Sequence, residues 1–127
     1  MQVNQITQAV ISAAIEVHRS LGPGLLESAY QECLSREMSL RGIPFEKEKW
    51  LALDYKGLLV EKAYRMDFLV AGKVVVETKS VETLTPIDEA QLLTYLRLGG
   101  WQVGLLINFN VPVLKQGIRR KVLGLNE

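Results

Sequence analysis

Between Val3 and Leu21 apolar side chains recur at Val3, Ile6, Val10, Ala13, Ala14, Val17 and Leu21, a stepping of three and four residues that predicts an amphipathic helix. Gly22-Pro23-Gly24 interrupts it. A second helix is predicted from about Leu25 to Arg41, with Leu26, Ala29, Tyr30, Cys33 and Leu34 on one side and Gly42 as its stop. From Phe45 onward the period shortens to that of strands. Trp50–Tyr55, the turn Lys56-Gly57 and a strand ending at Val70 come first, and Ala71-Gly72-Lys73 then leads into Val74-Val75-Val76. Thr85-Pro86-Ile87-Asp88 reads as a helix start, with a threonine cap, a proline in the first turn and an acid three residues on. That helix extends to about Leu98 and ends at Gly99-Gly100. Val103–Ile107 is a continuous apolar run suited to a strand buried on both faces. Lys115–Leu123 fits either a final strand or a short helix.

The expected order is helix, helix, three antiparallel strands, helix, strand and tail. A helix crossing between the Glu77 strand and the Val103 strand makes these two parallel neighbours. The chain is therefore expected to be α/β, a short mixed sheet flanked by helices. One domain is expected over residues 1–127, with two N-terminal helices in 1–42 and the sheet core with its crossover helix in 43–127. The length of 127 residues suffices for one hydrophobic core, and 48% hydrophobic residues argue against disorder. No apolar run reaches the roughly 18 residues of a membrane span. Met1–Gln5 lacks the basic and apolar regions of a secretory signal, and the lone Cys33 has no disulfide partner, so a cytoplasmic protein is expected. A net charge of +1 does not by itself announce nucleic-acid binding. Such contact would need a local patch, for which Lys115, Arg119, Arg120 and Lys121 are the best candidates.

The chemistry concentrates around Asp67 and Val76-Glu77-Thr78-Lys79. If Val70 faces Val74 across the turn, the register sets Asp67 opposite Glu77, with Cβ atoms about 5 Å apart. Lys79, two positions on, emerges on the same face as Glu77. Two opposed carboxylates repel unless a cation joins them, and Mg²⁺ typically takes one or two carboxylates and keeps several waters. An adjacent ammonium would position the attacking water and steady developing negative charge, so phosphodiester chemistry is indicated. The plain alternative is a solvated Asp/Glu/Lys face whose ion pairs contribute little. Glu27, on the shoulder of the second helix's apolar stripe, is either a functional carboxylate turned toward the core or an acid favoured by the helix dipole. Gln91 and Tyr95 lie four apart on the third helix and could hold a phosphate, or could be a buried polar pair bonded to backbone. His18 is a substrate-binding candidate, although a lone histidine there is more often simply packed. Arg19 and Arg65 are candidates for phosphate contact. Trp50 and Trp101 fit core or sheet-edge positions, with base stacking as the other option.

Gly24-Leu25-Leu26-Glu27-Ser28-Ala29-Tyr30 resembles the signature of the GxxExxY proteins. The likeness continues through Tyr64–Phe68, Val76–Lys79 and Asn108-Phe109-Asn110-Val111-Pro112. That group is similar to a branch of the PD-(D/E)XK nuclease superfamily. The resemblance implies a restriction-endonuclease-like αβββαβ core, with Asp67 as the acidic ligand, Glu77 and Lys79 as the (D/E)-x-K pair and Glu27 as an additional helical ligand. Gln91–Tyr95 matches the Q-x-x-x-Y element of the RecB-like branch, and Met66 stands where the superfamily's name expects proline. The implied activity is a Mg²⁺- or Mn²⁺-dependent nuclease acting on DNA ahead of RNA. Asp67, Glu77, the Thr78 carbonyl and Glu27 would hold the ion, and Lys79, Gln91 and Tyr95 would act on the scissile phosphate. A non-catalytic module for nucleic-acid binding or protein assembly is the alternative. A homodimer is compatible with either.

Overall fold

A computed structural model describes residues 1–124. Helix α1 (Val3–Leu21) and helix α2 (Glu27–Leu40) precede strands β1 (Phe45–Tyr55), β2 (Leu58–Val70) and β3 (Val74–Lys79). Helix α3 (Pro86–Gly99), strand β4 (Val103–Asn108), a 3₁₀ turn (Leu114–Gly117) and strand β5 (Ile118–Val122) follow. The five strands form one mixed sheet in the order β1-β2-β3-β4-β5, parallel only between β3 and β4. The α/β architecture is therefore as expected, and the tail resolves into both alternatives, a short 3₁₀ turn and then a strand.

Two apolar layers sandwich the sheet. Ile6, Val10, Ala13 and Val17 of α1 and Tyr30, Leu34 and Met38 of α2 pack with Phe68, Val74, Val76 and Leu105 on one face. Leu92, Tyr95 and Leu96 of α3 pack with Met66, Leu69, Val75 and Leu106 on the other. The alternation of Val74, Val75 and Val76 between these layers is the period of two that a centrally placed strand requires. Gly104 allows α3 its close approach to β4, because a Cβ there would lie 2.7 Å from Leu92 Cδ1. Among the described residues no helix is long and apolar enough to cross a membrane.

Helix α2 corrects the sequence expectation at its start. It begins at Glu27, and Leu26, counted on the apolar side, is its N-cap and 77% exposed. The cause lies one turn on: the buried Tyr30 hydroxyl donates to the Gly22 carbonyl (2.6 Å) and accepts from the Leu25 N–H (3.1 Å). These bonds hold Gly22–Leu25 as a loop, with Gly24 at φ +99°, where a side chain would be strained. Cys33, on the apolar side of α2, is half-buried and packs against the edge of the first apolar layer.

Candidate active site

Strand β2 has thirteen residues, but only Phe68, Leu69 and Val70 pair with β3. The hairpin register holds as far as Phe68 opposite Val76, and the next step would set Asp67 against Glu77. Backbone pairing stops there and carboxylates replace it. The Asp67 N–H donates to Glu77 Oε2 (2.7 Å), while the Thr78 N–H and hydroxyl donate to Asp67 Oδ2 (2.8 and 2.9 Å). The expected juxtaposition thus exists, but not as two side chains standing on one face of a regular ladder. Met66 and Leu69 both pack on the α3 side, whereas Phe68 and Val70 pack on the other, so the alternation of β2 breaks at Asp67. On β1 the residue at the corresponding position, Glu48, adopts φ +55°, uncommon for a side chain other than glycine, and is skipped by the ladder. This paired irregularity splays β2 from β3 and turns the Asp67 carboxylate toward β3.

Each carboxylate spends one oxygen on the opposite strand. Asp67 Oδ1 and Glu77 Oε1 take part in none of these bonds. Thr78 directs its N–H toward β2, and in an extended strand its carbonyl projects to the same edge. The neighbouring Lys79 carbonyl is instead occupied by the Phe109 N–H (2.9 Å). Glu77 is only 5% exposed, and burial, followed by the Asp67 charge, raises its carboxyl well above the usual glutamate range. Burial also raises Glu27, opposed chiefly by Lys79 and reinforced by Asp67 and Asp88. Tyr95, buried against Tyr64 (ring centroids 5.6 Å apart), has its hydroxyl raised by burial and then by Glu77 and Asp67. It is a protonated donor beside the carboxylates at neutral pH.

Lys79 Nζ lies 3.9 Å from Asp88 Oδ1. Asp88 escaped the sequence reading because its role there was complete: its Oδ2 accepts from the Thr85 N–H (3.0 Å) and closes the capping box of α3. The capping geometry that made it legible as a helix start also aims its second oxygen at the lysine. Ser80 was missed too. Its hydroxyl donates to the Leu25 carbonyl (2.6 Å) and its N–H faces Glu27, which ties the end of β3 to the loop before α2. Tyr30, through its hold on that loop, sets where Glu27 enters the site. Tyr30→Phe should lower stability by about 1 kcal/mol, measured by denaturant unfolding. An unchanged midpoint would show that the bridge contributes nothing net.

The remaining candidates disperse. His18 is buried, its Nε2 2.8 Å from the Val111 carbonyl, so it links α1 to the segment after β4 and does not face a substrate. Arg19 is exposed and paired with Glu16. The basic patch does not assemble, because β5 alternates: Arg120 reaches Asn4 of α1 (3.0 Å), while Lys121 pairs with Glu89 of α3 on the other face. Arg119 bonds the Gln116 and Ile118 carbonyls, and Lys115 is exposed. Gln91 is exposed one turn before Tyr95, so the two are not a buried pair. Arg65 is exposed on β2, two residues from Asp67, with its guanidinium over Trp50.

Glu27, Glu77 and Asp88 thus lie around one ammonium, Asp67 stands against Glu77, and among the described residues Asp67 Oδ1 and Glu77 Oε1 accept none of the hydrogen bonds at the strand splay. A family model of the PD-(D/E)XK nuclease superfamily matches residues 4–121. The chain belongs to that superfamily. Comparison with curated proteins and with solved structures gave no significant match. PD-(D/E)XK nucleases generally use divalent metal ions, and the donor set here is of the right chemistry: hard oxygens and an excess of negative charge. Among the described residues no three His, Cys, Asp or Glu side chains form a ready cage. The fit is therefore to an ion that takes two carboxylates and completes its shell with water and substrate oxygens.

Proposed function

We propose that this chain is a Mg²⁺- or Mn²⁺-dependent nuclease of the GxxExxY type that hydrolyses phosphodiester bonds in DNA ahead of RNA. The observation that carries the reading is the set of bonds joining Asp67 to Glu77 and Thr78, which leaves one oxygen of each carboxylate outside them, with Lys79 near enough to act on Glu77. Asp67, Glu77 and the Thr78 carbonyl would hold the ion, with Glu27 reaching it through a water. When bound, such an ion polarises the phosphate and supplies a nucleophile at neutral pH. Lys79 orients the attacking water and offsets the charge that develops on the phosphoryl oxygens. Asp88 keeps the ammonium aimed, and the Tyr95 hydroxyl donates toward the carboxylate cluster and steadies its charge. Gln91, exposed one turn before Tyr95, would bond a phosphate oxygen.

Single- and double-stranded DNA and RNA incubated with Mg²⁺ or Mn²⁺ test the proposal. Cleavage should appear with either ion, vanish with chelator and be lost in Asp67→Asn. Calorimetric titration should show Mg²⁺ binding that Asp67→Asn removes. Cleavage that persists undiminished in purified Asp67→Asn would exclude this site, and a wild-type protein that binds no ion would leave the fold as a binding module.

A further inference from the structure

Because only Phe68–Val70 of β2 pair with β3, residues Leu58–Asp67 and their β1 partners form a two-stranded arm running past the active site. One face of its base is covered, where Leu51 and Tyr64 pack against α3. The next cross-strand pair, Trp50 with Arg65, falls on the opposite face. Trp50 is 47% exposed, so the indole is not a core residue. Lys62 Nζ and the Arg65 guanidinium stand 5.6 and 5.7 Å from its ring centroid. At the tip Lys56 stands 5.3 Å over the exposed Tyr55. Arg65 is two residues from Asp67, about 7 Å along the strand.

We infer that this arm grips an unpaired nucleic-acid strand entering or leaving the active site, with a base stacked on Trp50 and the flanking phosphates on Lys62 and Arg65. The inference rests on the nuclease reading and deepens it, by making a strand with splayed bases the substrate class. The occupant follows from the chemistry of the face. An exposed indole offers a π surface that every base can use, and stacking requires that the base be unpaired. The two cations need an anion on the same face. A protein surface covering Trp50 would have to place a carboxylate against each cation at the cost of desolvating both ions, whereas a phosphodiester backbone carries a stacking base and a counter-charge in every nucleotide. Asp54, the acid nearest the tip, is spent on the turn, its Oδ1 accepting from the Gly57 N–H (2.9 Å).

Fluorescence anisotropy of a labelled oligothymidylate and of a matched duplex, in chelator so that nothing is cut, tests this without relying on activity. The single strand should bind tighter than the duplex. Trp50→Ala should weaken it about tenfold or more, while Trp50→Phe retains most of the affinity. Lys62→Ala and Arg65→Ala should each flatten the dependence of log affinity on log salt by about 0.7. Duplex bound as tightly as single strand, or Trp50→Ala binding like the wild type, overturns the inference. So does a Trp50→Ala effect confined to sedimentation, which would make the arm a contact between copies. The two readings fail separately: cleavage indifferent to Trp50 sinks the arm alone, and Trp50-dependent binding by a protein that cuts nothing sinks the nuclease alone.

Discussion

Lys79→Ala should reduce phosphodiester cleavage by about a thousandfold while leaving the protein folded, since removing one group aimed at transition-state charge commonly costs that much. The ammonium is the cationic group held among Glu27, Glu77 and Asp88: it lowers both glutamates against their burial and lies 3.9 Å from Asp88. Its loss removes a cation that competes with the metal for those carboxyls, so the variant should bind divalent ion at least as tightly as the wild type, and added ion should not restore its rate. Lys79→Arg should recover little, because a planar, forked guanidinium does not reproduce the compact point charge of an ammonium. Single-turnover cleavage at several Mg²⁺ concentrations measures both effects. A Lys79→Ala enzyme with undiminished single-turnover rate would remove the lysine from the chemistry.

The parts of this molecule that could be read from residues alone are those governed by local rules. The 3- and 4-residue stepping from Val3 to Val17 and the valine run Val74–Val76 each place their own side chains, so α1 and the β3 core follow directly. The hairpin turn at Ala71-Gly72-Lys73 has a length that sets register, and Val70 does face Val74. What was not legible depends on exceptions to periodicity. The left-handed Glu48 and the break at Asp67 have no residue-type signal, since neither is glycine or proline, yet they turn a paired ladder into an open site. The basic patch failed for the converse reason. Arg119, Arg120 and Lys121 are adjacent in sequence, and a strand sends adjacent residues to opposite faces. Tyr30 and Asp88 were noticed for their apolar and capping roles, but their second partners, Gly22 and Leu25 for one and Lys79 for the other, are tertiary facts.

Glu77→Gln should abolish activity and yet raise stability in metal-free buffer at pH 8 by about 1–3 kcal/mol, the usual cost of a buried polar group short of partners. The glutamine carbonyl can still accept from the Asp67 N–H, so the strand splay survives while the repulsion with Asp67 does not. The sign of the pH dependence follows from the direction of the shift. A carboxyl raised on folding is protonated in the folded state while the unfolded chain, near 4.5, has already ionised. Stability therefore falls as pH climbs above that value and levels off once folded Glu77 has also lost its proton. The gap between wild type and variant should accordingly close near pH 4.5 and widen toward neutrality. Divalent ion should act in the opposite sense, because it binds the ionised pair of the folded state alone: at a hundred times its dissociation constant it should restore about 2.7 kcal/mol to the wild type and far less to Glu77→Gln. Thermal unfolding from pH 4 to 8, with and without Mg²⁺, reads out both trends. A variant less stable than wild type at pH 8 without metal would mean that the fold relies on the charge of Glu77, and a wild type indifferent to Mg²⁺ would mean that the two acids do not share an ion.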